Sequence, residues 1–312
     1  MTHALRIGLL RLTDSAPVII ARNHGLFAQH GIAAEIVVSP SWSNIADGLA
    51  WRTLDAAVIF PPLAMMTALG RRGHAASLRP LCTLSRGGNT LVLRGTNPLA
   101  TPWPTGPAGR QAFAQWQRGL GRRPRLAVVH MYSTHLLILR RFLRMIGVDM
   151  DSGIELVVMP PADMISALAD RAIDGGCVGP SWGTEACLRG LGFLVGGSST
   201  IVPGHLEKLL VVSDAAAGQA DRLKAALGEA VSYCRAPANR HAIAQGLALP
   251  PEEGGLALPA RATFATLDEK TTPEPVTFVA EEVTEADFDW ITQDMFDLGW
   301  IDESEREAGP KR

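Results

Sequence analysis

The sequence predicts an α/β fold in which mainly parallel strands are flanked by helices. An apolar strand at Leu5–Leu10, a helical segment at Pro17–Ala28 and a second strand at Ile32–Val38 follow one another near the N-terminus. This β-α-β order, which returns after residue 124, is typical of a parallel sheet. With 312 residues and a typical ~150 residues per domain, the chain is long enough for about two domains. Two α/β lobes are therefore expected.

Local signals place the next elements of the first lobe. The segment Ser41-Trp-Ser-Asn offers N-cap residues to a helix near Ile45–Trp51, and Asp55 leads into a buried strand at Ala56–Phe60. The pair Pro61-Pro62 then suits the first turn of a helix, where proline is tolerated. Strand and helix alternate here as they do at the N-terminus.

The segment 94–124 differs from the rest in composition, being rich in Gly, Pro and Arg, and it predicts a crossover and surface excursion between the lobes. After it, Ser133-Thr134 caps a helix with one apolar face, which Gly147 ends. The remaining predicted strands are Arg125–Val129, Glu155–Met159, Gly175–Gly179 and Leu209–Ser213, and helical patterns follow at Gln219–Gln245 and Glu281–Glu307. The predicted division is 1–93 plus 209–312 for lobe 1 and 94–208 for lobe 2.

Composition limits the possible partners. The 29 basic and 31 acidic side chains leave a formal charge of −2, and no Lys/Arg cluster alternates with aromatic residues, so direct binding of nucleic acid is not expected. The longest apolar stretch, Ala56–Leu69, contains two prolines and is shorter than the roughly 20 residues that span a bilayer, so no membrane association is expected. The first residues show no export-signal pattern, and the four cysteines have no metal-ligand spacing. A cytoplasmic location is expected.

The usual enzyme motifs are missing. The chain has no G-x-S-x-G elbow, no H-E-x-x-H helix, no P-loop and no G-x-G-x-x-G after a strand. The prediction is a protein that is not an enzyme and that needs neither cofactor nor metal.

Five residues at the ends of predicted strands and the starts of predicted helices are candidates for ligand binding, since open α/β sheets bind ligands there. They are Trp42, Asn89, His135, Gly179 and Lys208. Helix N-termini favour anions, lysine supplies a positive charge, and asparagine and histidine supply directed donors. Taken singly, each residue also fits a structural role, such as a core aromatic ring, a loop amide or a solvated turn lysine.

Several motifs together resemble the substrate-binding proteins of bacterial nitrate and bicarbonate transporters (NrtA/CmpA-like). The similar segments are Leu9–Ala21, Gly25-Leu-Phe, Ser41–Ile45, Asp55-Ala-Ala, Thr134-His135, Pro160-Pro161, Asp174–Trp182 and His205–Lys208. The resemblance implies a type II periplasmic-binding-protein-like fold with a ligand cleft between two lobes. It also implies that Trp42, Asn89, His135, Gly179 and Lys208 bind nitrate or nitrite. The bicarbonate-binding relatives carry an acidic residue in place of Lys208, so the lysine favours a monovalent anion without metal.

Two departures from this family pattern are informative. The export leader of the transporter members is missing, and His130-Met-Tyr-Ser-Thr134 replaces a glycine-rich approach to the histidine. The sequence thus resembles the leaderless cytoplasmic nitrate/nitrite sensors of the NasS type. That resemblance implies a partner, an ANTAR-type RNA-binding antiterminator (NasT-like), which the empty sensor sequesters and the ligand-bound sensor releases to control nitrate-assimilation genes.

Two alternatives remain open. The runner-up to the sensor is that the chain is the substrate-binding component of a nitrate ABC transporter whose leader has been removed. The chain is also compatible with an enzyme of the same fold, similar to the thiamine-pyrimidine synthases, in which a histidine and cysteines line the cleft.

Overall fold

The computed structural model describes residues 4–71 and 73–308. Within this part of the chain there are eleven strands: β1 (Leu5–Leu9), β2 (Ala34–Val38), β3 (Ala56–Ile59), β4 (Leu78–Arg86), β5 (Thr90–Arg94), β6 (Arg125–Val128), β7 (Glu155–Val158), β8 (Gly175–Val178), β9 (Gly192–Gly197), β10 (Leu206–Ser213) and β11 (Thr277–Phe278). The α-helices are α1 (Ala16–Asn23), α2 (Leu26–Gln29), α3 (Trp42–Ala50), α4 (Pro61–Ala68), α5 (Gly106–Arg118), α6 (Thr134–Met145), α7 (Met150–Gly153), α8 (Met164–Ala169), α9 (Trp182–Leu188), α10 (Ala220–Arg235), α11 (Arg240–Ala248), α12 (Ala260–Thr266), α13 (Asp289–Asp297) and α14 (Glu303–Ala308). None of these described helices is long and apolar enough to cross a membrane.

The chain divides into two compact units. Unit 1 contains the described residues up to Arg86, then His205–Ala260, then the described residues from Val276 onward, and unit 2 contains Gly87–Gly204 and Arg261–Pro275.

Unit 1 is built on a six-stranded sheet in the order β11-β4-β10-β3-β1-β2. β1 is parallel to both β2 and β3, whereas β10 is antiparallel to β3 and β4, and β11 is antiparallel to β4. The central strands are apolar and buried, with Ile7, Leu9 and Ile59 fully inaccessible. Such strands need cover on both faces, which fits helices packed on either side.

Unit 2 is built on a five-stranded sheet in the order β7-β6-β8-β5-β9. β6 is parallel to β7 and β8, and β5 is antiparallel to β8 and β9. Both sheets are thus mixed, which corrects the expectation of mainly parallel sheets. The antiparallel pairings of β5 and β10 join strands that lie far apart in the chain, which local sequence patterns do not reveal.

The division into units differs from the predicted boundaries in three places. β5 pairs only within unit 2, which moves the first boundary from 93 to 86. The strand β10 begins at Leu206 and pairs with β3 and β4, which assigns Lys208 to unit 1. The segment Arg261–Pro275, predicted in lobe 1, belongs to unit 2, where the Ser181 and Thr263 hydroxyl oxygens lie 3.1 Å apart.

The predicted surface excursion at 94–124 contains a regular helix, α5. Its Pro107 lies in the first turn, where a missing N–H costs nothing, so proline does not break the helix there. Ala112, Phe113 and Trp116 are buried on one face, and the Trp116 Nε1–H donates to the carbonyl of Arg94 at 2.8 Å. Helical spacing of apolar residues was the signal that the surrounding prolines and glycines obscured.

Predicted caps are confirmed at two helices. The Ser41 side chain accepts from Asn44 N at 3.3 Å at the start of α3, and the Ser133 side chain accepts from Leu136 N at 3.1 Å at the start of α6. Each cap satisfies one of the backbone donors that a helix N-terminus leaves without an intrahelical acceptor. These two caps position Trp42 and His135 in the first turns of their helices.

Candidate functional site

Lys208 lies inside β10, at an irregular point in its pairing with β4. Leu206 pairs with Arg86 and Lys208 pairs with Ser85, so Glu207 is an extra residue on β10. Neighbouring residues of a regular strand point to opposite faces, and a bulge of this kind changes the direction of a side chain. The Glu207 carboxylate and the Lys208 ammonium thus form an ion pair although the residues are adjacent. Lys208 is fully buried within β10, which excludes the alternative role of a solvated turn lysine.

A buried network of charged groups surrounds the lysine. Lys208 Nζ lies 3.0 Å from Asp14 Oδ2 and donates to Glu207 Oε1, and His205 Nδ1 lies 3.8 Å from Glu207 Oε2. All four side chains are buried. Asp14 and His205–Lys208 lie in segments that carry the family resemblance. The ion pair between Asp14 and Lys208 depends on a contact between distant parts of the chain. The sequence therefore did not identify the carboxylates as partners of the lysine.

The carboxylates keep Lys208 charged. Burial alone would lower the pKa of its ammonium group, but the nearby charges of Asp14 and Glu207 and their hydrogen bonds outweigh this effect and raise the pKa above its ordinary value. Lys208 is therefore a cation at neutral pH. When both carboxylates are ionised, the positive charge of Lys208 lies close to the two negative charges of Asp14 and Glu207.

Two aromatic rings flank the ammonium group. Its Nζ lies 5.4 Å from the Trp42 ring centroid and 5.6 Å from that of Phe60, distances suited to cation–π attraction. The two rings are 4.4 Å apart at an angle of 57°. Trp42 is 1 % exposed, and its indole Nε1–H has no hydrogen-bond acceptor among the described residues. A buried N–H without a partner is uncommon in proteins and marks a place where an acceptor fits.

His135 lies in the first turn of α6 and is fully buried. Its Nδ1 is 3.1 Å from the carbonyl oxygen of Cys177 in β8. Because a carbonyl oxygen only accepts, Nδ1 must carry the hydrogen, which fixes the tautomer of the ring. The second nitrogen, Nε2, then donates a hydrogen bond only when the ring is doubly protonated.

Asn89 follows Gly87-Gly88 in a loop before β5, and it is fully buried. Neither its Nδ2 nor its Oδ1 has a hydrogen-bond partner among the described residues. Burying a primary amide without partners costs free energy, so the amide is suited to a ligand rather than to a loop cap.

Gly179 comes directly after β8 and is buried, as predicted for a residue at a strand end. Two residues later, Ser181 has a φ of +78°, a conformation that costs free energy for any residue with a Cβ. Strained backbone of this kind is concentrated at functional sites.

The structure places the five predicted residues in two sets. Trp42 and Lys208 lie in unit 1, and Asn89, His135 and Gly179 lie in unit 2. Four hydroxyl groups that sequence reasoning did not single out as ligands are also buried and lack hydrogen-bond partners among the described residues: Thr83 and Ser85 in unit 1, and Thr90 and Thr134 in unit 2. Their signal is proximity, since each neighbours a predicted site residue in the chain or pairs beside it in the sheet.

The polar groups at these positions are mostly hydrogen-bond donors. Lysine has three N–H donors, of which Lys208 directs one to each of two carboxylates. The Trp42 indole N–H and the Asn89 amide N–H groups add donors without described acceptors. Within 4–71 and 73–308, no group of three or more His, Cys, Asp or Glu side chains is arranged to hold a metal ion. The chemistry suits a small ligand that only accepts hydrogen bonds.

An apolar groove of about 590 Å³ also lies in unit 1. Met65, Leu78, Leu209 and Phe288 are among its lining residues. None of the five predicted residues lines this groove, so its shape says nothing about the candidate site.

Comparison with known proteins identifies the class. Residues 1–248 match the model of the NMT1-like family, and the chain belongs to that family. Its fold is similar to the crystal structure of the periplasmic nitrate-binding protein NrtA from Synechocystis, with a TM-score of 0.85 at 20 % identity over 97 % of this chain and 84 % of that one. The alkanesulfonate-binding protein SsuA from Xanthomonas axonopodis pv. citri, bound to MOPS, gives a TM-score of 0.70 at 16 % identity, covering 96 % of this chain and 94 % of that chain. The predicted periplasmic-binding-protein-like fold is confirmed.

Among sequence relatives, the chain is 33 % identical over 258 residues to the nitrate import ATP-binding protein NrtC of Synechocystis, covering 79 % of this chain and 37 % of that protein. It is 29 % identical over 254 residues to the nitrate/nitrite binding protein NrtA of Synechococcus elongatus, covering 77 % of this chain and 56 % of that protein. The bicarbonate transport ATP-binding protein CmpC of Synechococcus elongatus is 32 % identical over 244 residues, which cover 75 % of this chain and 36 % of that protein. The chain thus spans little more than a third of the first relatives that it matches.

Proposed function

We propose that this protein binds nitrate or nitrite through Trp42, Asn89, His135, Gly179 and Lys208. The names of its relatives NrtA and NrtC support the ligand class. The observation that carries the proposal is the set of buried donors without acceptors, the Trp42 indole N–H and the Asn89 amide. Nitrate and nitrite carry hydrogen-bond acceptors and no donor at neutral pH, so they satisfy such donors without presenting a donor of their own.

The charges around Lys208 disfavour a divalent anion more strongly than a monovalent one. Because Asp14 and Glu207 pair with the lysine, the cluster has no excess positive charge to offset a second negative charge on the ligand. Affinity in unit 1 then comes from directed N–H groups rather than from net charge. A divalent anion such as sulfate is repelled by the two carboxylates, which favours nitrate over sulfate at these residues.

The proposed role is that of a cytoplasmic sensor. In this proposal the empty protein sequesters an ANTAR-type antiterminator (NasT-like), and anion binding releases it, so that nitrate-assimilation genes are transcribed. The resemblance to NasS-type sensors supports this role, as does the His130–Thr134 loop next to His135. The four cysteines form no disulfide within the part of the chain that the structure describes, which agrees with a reducing compartment. The proposal assigns to the same set of residues a binding role rather than catalysis.

The ligand is tested by calorimetric titration of the purified protein with nitrate, nitrite, bicarbonate and sulfate. Nitrate or nitrite should bind, and Asn89→Ala should weaken binding about 10-fold or more, because a hydrogen bond to a charged group contributes roughly 1.5–3 kcal/mol. Asn239→Ala is the matched control, since its amide donates to the carbonyl of Tyr233 in unit 1 and has no place in the site. Absence of heat with nitrate and nitrite, together with binding of another anion, would exclude the proposed ligand.

The sensor role is tested by co-purification with the antiterminator. The complex should form without nitrate and dissociate at saturating nitrate, because a ligand shifts an equilibrium only when its affinity differs between the two states. A complex that persists at saturating nitrate contradicts the role. The alternative is the substrate-binding component of a nitrate transporter, a role with which the names of the relatives also agree. That role predicts nitrate binding but no complex with the antiterminator under either condition.

A further inference from the structure

A carboxylate from the segment Arg261–Pro275 is buried beside the loop that carries Asn89. Glu274 is 1 % exposed. Its Oε1 accepts from Gly88 N at 2.8 Å, from Ser198 Oγ at 2.8 Å and from the Ser199 backbone N at 3.1 Å and Oγ at 2.8 Å. Its Oε2 lies 3.2 Å from Ser199 N. This single side chain joins two segments of unit 2 that are more than a hundred residues apart.

Glycines make the space that this carboxylate occupies. A Cβ at Gly197 would lie 2.1 Å from Glu274 Oε2, and a Cβ at Gly87 would lie 2.9 Å from Oε1. Gly87 also has a φ of +61°, a backbone conformation that is unfavourable for residues with a side chain. Backbone N–H groups that converge on one oxygen in this way form an anion-binding concavity. In this protein the anion is part of the chain.

The same contacts hold Asn89 from both sides. Gly88, the residue before it, donates to Glu274, and the Asn89 carbonyl accepts from Ser198 N at 2.8 Å. Thr90, the residue after it, is paired with Gly197 of β9 and Val178 of β8. The backbone of Asn89 is therefore fixed, while its buried side-chain amide has no partner among the described residues.

We propose that Glu274 is a positioning residue for the anion: it fixes the loop 87–89 and so directs the Asn89 amide toward the ligand. This inference rests on the proposed function. A hydrogen-bond donor contributes affinity only when it is held in the right geometry before the ligand arrives. The carboxylate supplies this order without contacting the anion itself.

The test is nitrate titration of Glu274→Ala, Asn89→Ala and the double variant. If Glu274 acts through Asn89, Glu274→Ala should weaken nitrate binding about tenfold in the wild-type background and hardly at all in the Asn89→Ala background. Glu274→Gln keeps one acceptor oxygen, so its nitrate affinity should lie between those of the wild type and Glu274→Ala. This variant replaces Glu274→Ala in the test if the alanine variant does not fold. Asp174→Asn is the control, because it removes another buried carboxylate of unit 2, one that pairs with Arg94 and Arg122. It should lower stability without changing nitrate affinity.

A rescue experiment separates positioning from general loss of structure. Sodium formate is a small carboxylate that fits the space left in Glu274→Ala, so tens of millimolar formate should restore most of the lost nitrate affinity, whereas sodium chloride at equal ionic strength should not. Formate should leave the wild-type protein unchanged or weaken its nitrate binding by competition. Equal loss in both backgrounds, or no rescue, overturns the role of Glu274 while nitrate binding by the wild type still stands. No binding of nitrate or nitrite by the wild type overturns the proposed function itself.

Discussion

Removal of the Lys208 charge is expected to lower the free energy of unfolding. A loss of nitrate binding in such a variant therefore has to be separated from a loss of stability. In Lys208→Met the carboxylates of Asp14 and Glu207 stay buried without their cation. At 3.0 Å and an effective dielectric constant of about 20, the attraction between Lys208 and Asp14 alone is about 5 kcal/mol. Mutants that break a buried ion pair lose roughly 3–5 kcal/mol, a large part of a typical domain stability of about 5–15 kcal/mol.

The control is the variant that removes all three charges, Asp14→Asn, Glu207→Gln and Lys208→Met. It should recover more than half of the loss, because replacing a buried charge cluster as a whole is far less costly than removing one member. Urea denaturation of the two variants and the wild type measures the difference. A loss under about 1 kcal/mol for Lys208→Met, or no recovery in the triple variant, would refute the reasoning.

The pH dependence of the same cluster has a definite sign. The pKa of Lys208 is raised in the folded protein, so its contribution to stability is complete below the unfolded value of about 10.4 and is lost as the pH rises through the folded value. Stability measured by urea denaturation should therefore fall more steeply above pH 10 in the wild type than in the triple variant. Equal slopes would show that the lysine is not held charged by its neighbours.

Two further outcomes are expected. Burial raises the pKa of Asp174, but hydrogen bonds from the Arg125 N–H, Arg94 and Arg122 and the charge of Arg122 outweigh burial, so the pKa is lowered. The contribution of Asp174 to stability is therefore present above about pH 4 and lost as the pH falls through the folded value, and Asp174→Asn should flatten the acid limb of the urea-denaturation profile. Burial raises the pKa of Cys82 to about 12 and that of Cys187 to about 11, so both thiols should react with iodoacetamide at pH 7 far more slowly in the native than in the urea-unfolded protein, as peptide mapping would show.

Much of the fold could be predicted from local patterns. β1, β2 and β3, with the helices between them, agree with the sequence prediction to within two residues at most ends, since apolar runs and caps are local signals. The strands β4, β5 and β9 were missed. β4 contains proline, cysteine and serine, and β9 contains three glycines, which weaken a strand pattern. All three strands are held by antiparallel partners far away in the chain.

The candidate site divides in the same way. The positions of Trp42 and His135 follow from the caps Ser41 and Ser133, which any reader of the sequence can find. The environment of Lys208 does not, because a bulge in β10 and an ion pair to Asp14 depend on contacts across about two hundred residues. Local sequence thus predicts which residue lies at the end of a helix or strand. Whether a charged residue there has an ion-pair partner within the protein depends on the folded chain.

The sequence of unit 1 is interrupted by segments of unit 2, and this has a consequence for synthesis on the ribosome. All five strands of the unit 2 sheet lie in one stretch, from Thr90 to Gly197, so that sheet can be completed as soon as this stretch has emerged. β4 has emerged earlier, but its partners in the sheet are β10 and β11, which are made more than a hundred residues later. During translation β4 is thus an apolar strand with open edges, a state prone to aggregation. Nascent chains stalled before Leu206 should therefore recruit chaperones at β4, and chains stalled after Phe278 should not.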